Sequence, residues 1–173
     1  MIKIIDTSIE EVKIIEPKVY TDHRGDFFES FNQKEFCDKI KKMSFIQDNQ
    51  SKSSFGVLRG MHYQPAPYEQ SKLVRVISGE IQDVAVDIRK DSPTYLKYVS
   101  VILNDSNNHQ IFIPKGFAHG FLVLSRRAIV NYKVDSFYNS NTEKSISYND
   151  LKINIKWKLD NKLIKLSLKD IIL

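Results

Sequence analysis

The chain has 173 residues, 42% hydrophobic, 11% aromatic and 27% charged, with 6 Gly, 5 Pro and one Cys. That composition excludes a disordered, collagenous or low-complexity protein, and a chain of this length buries roughly 70% of its unfolded surface without needing disulfides or metal to fold. The formal charge of +5, from 26 basic and 21 acidic residues, reflects lysines scattered along the chain; neither the run at 39–42 nor the Lys-rich end interleaves aromatics as a single-strand nucleic-acid binder would.

Residues 1–13 mix apolar side chains with Lys3, Asp6, Glu10 and Glu11, so they lack the continuous apolar core of a signal peptide. Residues 12–19 and 26–31 read as strands. The best helix is 34–43, where Phe36, Ile40 and Met43 recur at helical spacing amid Lys and Asp. It contains Cys37, alone in the chain, which excludes an intramolecular disulfide framework and suits a reducing cytosol. Further strands are expected at 57–63, 72–77, 81–88, 98–103, 110–113, 120–123 and 128–134. All are rich in Val, Ile, Phe and Tyr, and turn formers such as Ser78-Gly79, Asp91-Ser92-Pro93 and Asp105-Ser106-Asn107-Asn108 divide them. No run approaches the length of a membrane span. The expectation is a cytoplasmic protein that uses neither membrane nor nucleic acid.

Strands here do not alternate with helices, which argues against a parallel βαβ sheet. Many short strands over 1–173 point to one all-β domain, a jelly roll with a few short helices. On 81–88, Val84, Val86 and Ile88 share one face, and Asp83, Ala85 and Asp87 the other. On 72–77, Lys72 shares a face with Val74 and Val76. Such a lysine either snorkels from a strand end or points into a barrel mouth, where its pKa would move.

Two segments carry chemistry: Gly56-Val57-Leu58-Arg59-Gly60-Met61-His62-Tyr63-Gln64 and Ile113-Pro114-Lys115-Gly116-Phe117-Ala118-His119-Gly120-Phe121. Together they resemble the two signature segments of the cupin jelly roll, many members of which hold a metal on histidines two residues apart. Here Gln64 stands two after His62, and His62 and His119 alone are fewer ligands than a zinc or iron site needs. A metal-free site is therefore expected. His62, Lys72 and Tyr132 are the side chains suited to proton transfer at carbon: a neutral imidazole as base, an ammonium for the oxyanion, and a phenol as acid. Periodicity alone equally allows a satisfied turn histidine, a surface lysine and an ordinary strand tyrosine. Arg59 and His62, three apart, would point to opposite faces of a regular strand, and Gly60 is the place for a bulge between them. Asp83 reads either as a strand-end carboxylate or as a partner of His62 or His119.

Over residues 13–170 the chain resembles the dTDP-4-dehydrorhamnose 3,5-epimerase family, metal-free cupins that invert two carbons of a 4-keto-6-deoxy nucleotide sugar. The resemblance is carried by those segments together with Asp22-His23-Arg24-Gly25-Asp26-Phe27-Phe28-Glu29-Ser30-Phe31, Gln47-Asp48-Asn49-Gln50-Ser51, Lys72-Leu73-Val74-Arg75-Val76, Asp83-Val84-Ala85-Val86-Asp87-Ile88-Arg89 and Tyr132-Lys133. Each fragment is weak alone, and the ordered set is highly specific. The resemblance implies that His62 is the base, oriented by Asp170, that Lys72 holds the enolate oxygen, and that Tyr132 protonates the opposite face. It implies substrate contacts from Arg24, Glu29, Gln47, Asn49, Arg59, His119, Glu143 and Lys169, with Tyr138 stacking on the base. It also implies no cofactor, a role in dTDP-L-rhamnose synthesis for surface polysaccharide, and a homodimer exchanging N-terminal strands, so that Arg24 and Glu29 serve the other subunit. Tyr148-Asn149-Asp150 departs from the Trp-Asn-Asp frequent in the family. A mono-epimerase acting at C3 or C5 is the alternative.

Overall fold

The computed structural model of the chain describes residues 2–171, the side chains of residues 169 and 171 excepted. Strands β1 (Ile2–Asp6) and β2 (Lys13–Pro17) lead into a small hairpin, β3 (Tyr20–Asp22) and β4 (Gly25–Phe27), and then helix α1 (Gln33–Lys39). There follow β5 (Gln47–Ser54), β6 (Leu58–Tyr63), β7 (Lys72–Ser78), β8 (Glu80–Asp87) and β9 (Tyr98–Asn104). Then come β10 (Gln110–Ile113), β11 (Phe117–Val123), β12 (Arg127–Val134), β13 (Lys144–Ser145) and a terminal helical turn, α2 (Leu168–Ile171). One antiparallel sheet runs β1-β2-β10-β7-β12-β5 and the other β13-β6-β11-β8-β9.

The sheets face each other in jelly-roll fashion because each supplies an apolar inner face. Val74, Val76, Ile111, Ile113, Ala128 and Val130 from the first pack with Ile81, Ala85, Val99, Leu103, Phe117, Phe121 and Val123 from the second. Each sheet is covered outside as well. Helix α1 and its flanks lay Phe31, Phe36, Ile40, Met43 and Phe45 over Ile15, Leu73 and Phe112, while Ile153, Ile155 and Trp157 cover Met61, Val84 and Val86. Strand β8 is thus buried on both faces, and it is the face carrying Asp83 and Ala85 that turns inward. A carboxylate there must find a partner.

The element boundaries differ from expectation in four instructive places. The strand expected at 26–31 stops at Phe27, because Phe31 leaves the hairpin to stack edge-on against Phe45. The helix expected at 34–43 begins at Gln33, capped by the Asn32 side chain, which accepts from Glu35 N, and ends at Lys39; Ile40 and Met43 still join the apolar cluster. The last turn unwinds while its apolar residues stay packed and partly buried. Strand β1 lies in the segment read only as non-signal sequence. Strand β5, Gln47–Ser54, is entirely polar and so gave no hydrophobic alternation. It is held instead by continuous pairing with β12.

Candidate active site

A cavity of about 340 Å³ is lined by Gln47, Asn49, Arg59, His62, Tyr63, Gln64, Gln70, Lys72, Tyr132, Tyr138 and Glu143. Its first wall is the six-stranded sheet. Lys72 and Gln47 both lie opposite Val134 of β12, and Asn49 lies opposite Tyr132. Two-residue periodicity turns all four side chains inward, with Lys72 and Tyr132 as diagonal neighbours on adjacent strands. The polarity that hid β5 is what equips this wall: Gln47 Nε2 donates to Asn49 Oδ1 at 2.8 Å, beside the phenol.

The opposing wall is β6. Its pairing with β11 matches His62 to His119 and Arg59 to Phe121, three residues against two, so β6 carries an extra residue at Gly60-Met61. Gly60 has φ of +132°, and a Cβ there would lie 2.5 Å from the Cα of Gly120. The two glycines let the strands approach while the extra residue brings Arg59 and His62 to one side. Arg59 Nε is anchored on Ser53 Oγ at 3.0 Å.

His62 Nε2 lies 2.6 Å from Asp170 Oδ1. Asp170 comes from α2, where Ser167 Oγ donates to its other oxygen at 2.7 Å. The tail reaches this position because residue 165 bridges to residue 57: Leu58 N donates to Lys165 O at 3.0 Å and Lys165 N to Gly56 O at 2.8 Å. With Nε2–H donated to the carboxylate, the lone pair of Nδ1 is the basic site of the neutral ring.

Charge in the cavity is set largely by burial. Desolvation brings the Lys72 ammonium down to about 8, with Asp83 and Glu143 pulling the other way. Burial raises Tyr132, reinforced by Glu143, so the phenol is protonated at neutral pH. His119 is 6% exposed and lies beneath the cavity wall, with Nε2 at 2.9 Å from Asp83 Oδ2; burial lowers its pKa and keeps the imidazole neutral. Of the two readings of Asp83, the buried partner of His119 is the one present. Its other oxygen is buried without a hydrogen bond among the described residues.

His62, Lys72, Tyr132, Gln47, Asn49, Arg59, Tyr138 and Glu143 are therefore brought together, with Asp170 behind His62. Arg24 and Glu29 are not: Arg24 sits at the exposed tip of the β3–β4 hairpin, where its guanidinium forks onto Asp22, and Glu29 lines a separate, largely apolar cavity under α1. The Lys169 side chain lies outside the described residues. Sequence reasoning missed Tyr63, Gln64 and Gln70 as lining residues. The same-face spacing of His62 and Gln64 was the signal for one of them, whereas Gln70 sits in a loop with none. Among the described residues no group of three or more His, Cys, Asp or Glu side chains converges as a metal site, and no helix is long and apolar enough to cross a membrane.

A family model for dTDP-4-dehydrorhamnose 3,5-epimerase matches residues 6–173. The dTDP-4-dehydrorhamnose 3,5-epimerase of Shigella flexneri is 54% identical, spanning 97% of this chain and 92% of its own. The crystal structure of a dTDP-6-deoxy-D-glucose-3,5-epimerase from Legionella pneumophila in complex with dTDP-4-keto-L-rhamnose matches with a TM-score of 0.96 at 49% identity, covering 99% of this chain and 91% of that one. A 3′-monoepimerase from Streptomyces bikiniensis in complex with dTDP-quinovose matches at 31% identity and a TM-score of 0.90, covering 96% and 84%.

Proposed function

The chain belongs to the dTDP-4-dehydrorhamnose 3,5-epimerase family, and from that premise we propose that its cavity inverts C3 and C5 of dTDP-4-dehydro-6-deoxy-D-glucose through enolate intermediates. The observation that carries this reading is that His62 and Tyr132 line one cavity from opposing sheets, with Lys72 beside the phenol. Inversion at a carbon next to a ketone needs a base on one face, an acid on the other and a cation at the carbonyl oxygen. Nδ1 of His62 takes the α-proton, and the C–H electron pair moves into the ring to make the C4 enolate. The Lys72 ammonium balances that charge. The Tyr132 hydroxyl then delivers its proton to the opposite face, and the enolate electrons form the new C–H bond. Phenol and imidazole reset by exchange with solvent, so no oxidant or reductant is consumed. The ketone acidifies both flanking carbons, and one oxyanion site can serve two successive inversions.

Gln47, Asn49, Arg59, Tyr138, Glu143 and Lys169 hold the nucleotide sugar in this reading, with His119 reaching it from beneath the wall and Arg59 offering a fork suited to pyrophosphate. The 54% and 49% identities to 3,5-epimerases, against 31% to the monoepimerase, favour double inversion. Residues 1–173 act as one domain, and the product feeds dTDP-L-rhamnose synthesis for surface polysaccharide in the cytoplasm, a compartment the single Cys37 suits. The functional unit is a homodimer. Supporting this, the hairpin exposes Tyr20 (53%) and Phe27 (69%) and holds Arg24 away from the cavity of its own chain. Incubation with the 4-keto substrate in D₂O tests the assignment: deuterium at both C3 and C5 of the product is expected, deuterium at one carbon would make the chain a monoepimerase, and none would end the reading.

A further inference from the structure

Where a metal-holding cupin places its second histidine, Gln64 lies 7% exposed at the end of β6. Both ends of its amide are committed to one loop. Gln64 Nε2 donates to Asn139 O at 3.1 Å, and Thr142 Oγ1 donates to Gln64 Oε1 at 2.8 Å. Thr142 N also donates to Asn139 O at 3.2 Å, so the two contacts grip opposite ends of a single turn. That turn belongs to the 135–143 segment between β12 and β13, which carries Tyr138 and Glu143 to the cavity; Tyr138 Oη donates to Glu143 Oε2 at 2.9 Å. Other ties of the segment are Gln70 Nε2 donating to Ser136 O at 2.7 Å, Ser71 N donating to Asp135 Oδ1 at 2.6 Å, and a longer contact from Tyr138 N to Gln47 Oε1 at 3.4 Å. Among the described residues, the hydrogen bonds that hold the 139–142 turn from outside the segment come from Gln64.

We propose that Gln64 is a positioning residue for the nucleotide, an amide latch that fixes the 139–142 turn and thereby the seating of Tyr138 and Glu143 over the cavity. The inference rests on the functional reading above, in which those two side chains meet the nucleotide sugar. A carboxylate could accept from Thr142 but would face the Asn139 carbonyl without a donor, and an aliphatic side chain could do neither. The latch acts on binding: the hydrogen bonds of the Gln64 amide go to the 139–142 turn, not to His62, Lys72 or Tyr132.

The test compares Gln64→Leu, Gln64→Glu and Thr142→Val with the unaltered enzyme, measuring kcat, KM and the calorimetric affinity for dTDP alone. Gln64→Leu is expected to weaken dTDP binding and raise KM about tenfold, the scale of one buried hydrogen bond, with kcat changed less than about twofold. Gln64→Glu and Thr142→Val should fall between, and Gln64→Leu combined with Thr142→Val should be little worse than Gln64→Leu alone, because Gln64→Leu already removes the Gln64–Thr142 contact that Thr142→Val removes. A fall in kcat at constant dTDP affinity, or unchanged affinity in every variant, overturns the latch while leaving the epimerase reading intact. Should Gln64→Leu fail to fold, Thr142→Val decides on the same criterion. An unaltered enzyme that neither binds dTDP nor exchanges deuterium overturns the functional reading, and the latch with it.

Discussion

His62 and Asp170 are 108 residues apart in the chain and 2.6 Å apart in the fold, the carboxylate holding the ring by Nε2 and leaving Nδ1 as the nitrogen for proton transfer. In the proposed reaction the carboxylate has two tasks: it fixes the tautomer, and it stabilises the imidazolium formed when the proton arrives. His62→Ala is expected to fold normally and to lose roughly 10³–10⁴ in kcat, and Asp170→Asn roughly 10², as typical for a positioned base and its orienter. Single-turnover rates with circular dichroism as a folding control check this. Full turnover in His62→Ala would remove the imidazole from its role.

Tyr132 and His62 stand on opposing sheets, so their losses should differ in kind. In Tyr132→Phe the base still removes the proton and the enolate still forms, but the opposite face has no donor. The expected outcome is deuterium entering recovered substrate without inversion, read by mass spectrometry and NMR of the unconverted sugar. Inversion at the unaltered rate would exclude the phenol as the acid.

Lys72 sets an alkaline limit. In the proposed reaction its working form is the ammonium, and burial lowers the group to about 8. Activity should therefore hold below that pH and fall about tenfold per unit above it. Lys72→Met should abolish turnover and, because a depressed lysine pKa means that the charge is disfavoured in the folded state, raise the melting temperature by a few degrees. A pH–rate profile flat to pH 10 would contradict the assignment.

Gly60 and Gly120 meet where β6 bulges, and a Cβ at position 60 would come within 2.5 Å of Gly120 Cα and 2.8 Å of His119 O, at a φ of +132°. Backbone cannot yield as a side-chain tip can. Gly60→Ala is expected to cost about 3 kcal/mol or more, a fall of roughly 10 °C in melting temperature by calorimetry.

The dimer proposal has a subunit-mixing test. A chain with Arg24→Ala and a chain with His62→Ala should each be inactive alone. If Arg24 serves the neighbouring site, mixed dimers contain one site with both native side chains, and activity returns on mixing. No recovery in demonstrably mixed dimers would place Arg24 in its own subunit's site.

The jelly roll was legible because most strands bury an apolar face, and 72–77 and 128–134 could be read directly from Val and Ile. Strand β5 was not, because a strand lining a polar cavity at a sheet edge has no apolar stripe to show: Gln47, Asn49, Ser51 and Ser53 turn inward there. His62 and His119 were visible as motif positions, and the bulge between Arg59 and His62 followed from their spacing. The commitment of Gln64 to a loop 75 residues on was not visible, since nothing local in a sequence records a side chain's distant hydrogen bond. Asp83 was left open for the same reason, its partner being 36 residues away.

Because Asp170 is supplied by the turn that follows residue 165, every strand of both sheets is synthesised before the carboxylate that, in the proposed reaction, orients the base. Newly made chains should acquire shape first and turnover last. Proteolysis that removes this turn should cut turnover roughly a hundredfold while sparing the β-sheets, and that loss would pass unnoticed in any assay of folding alone.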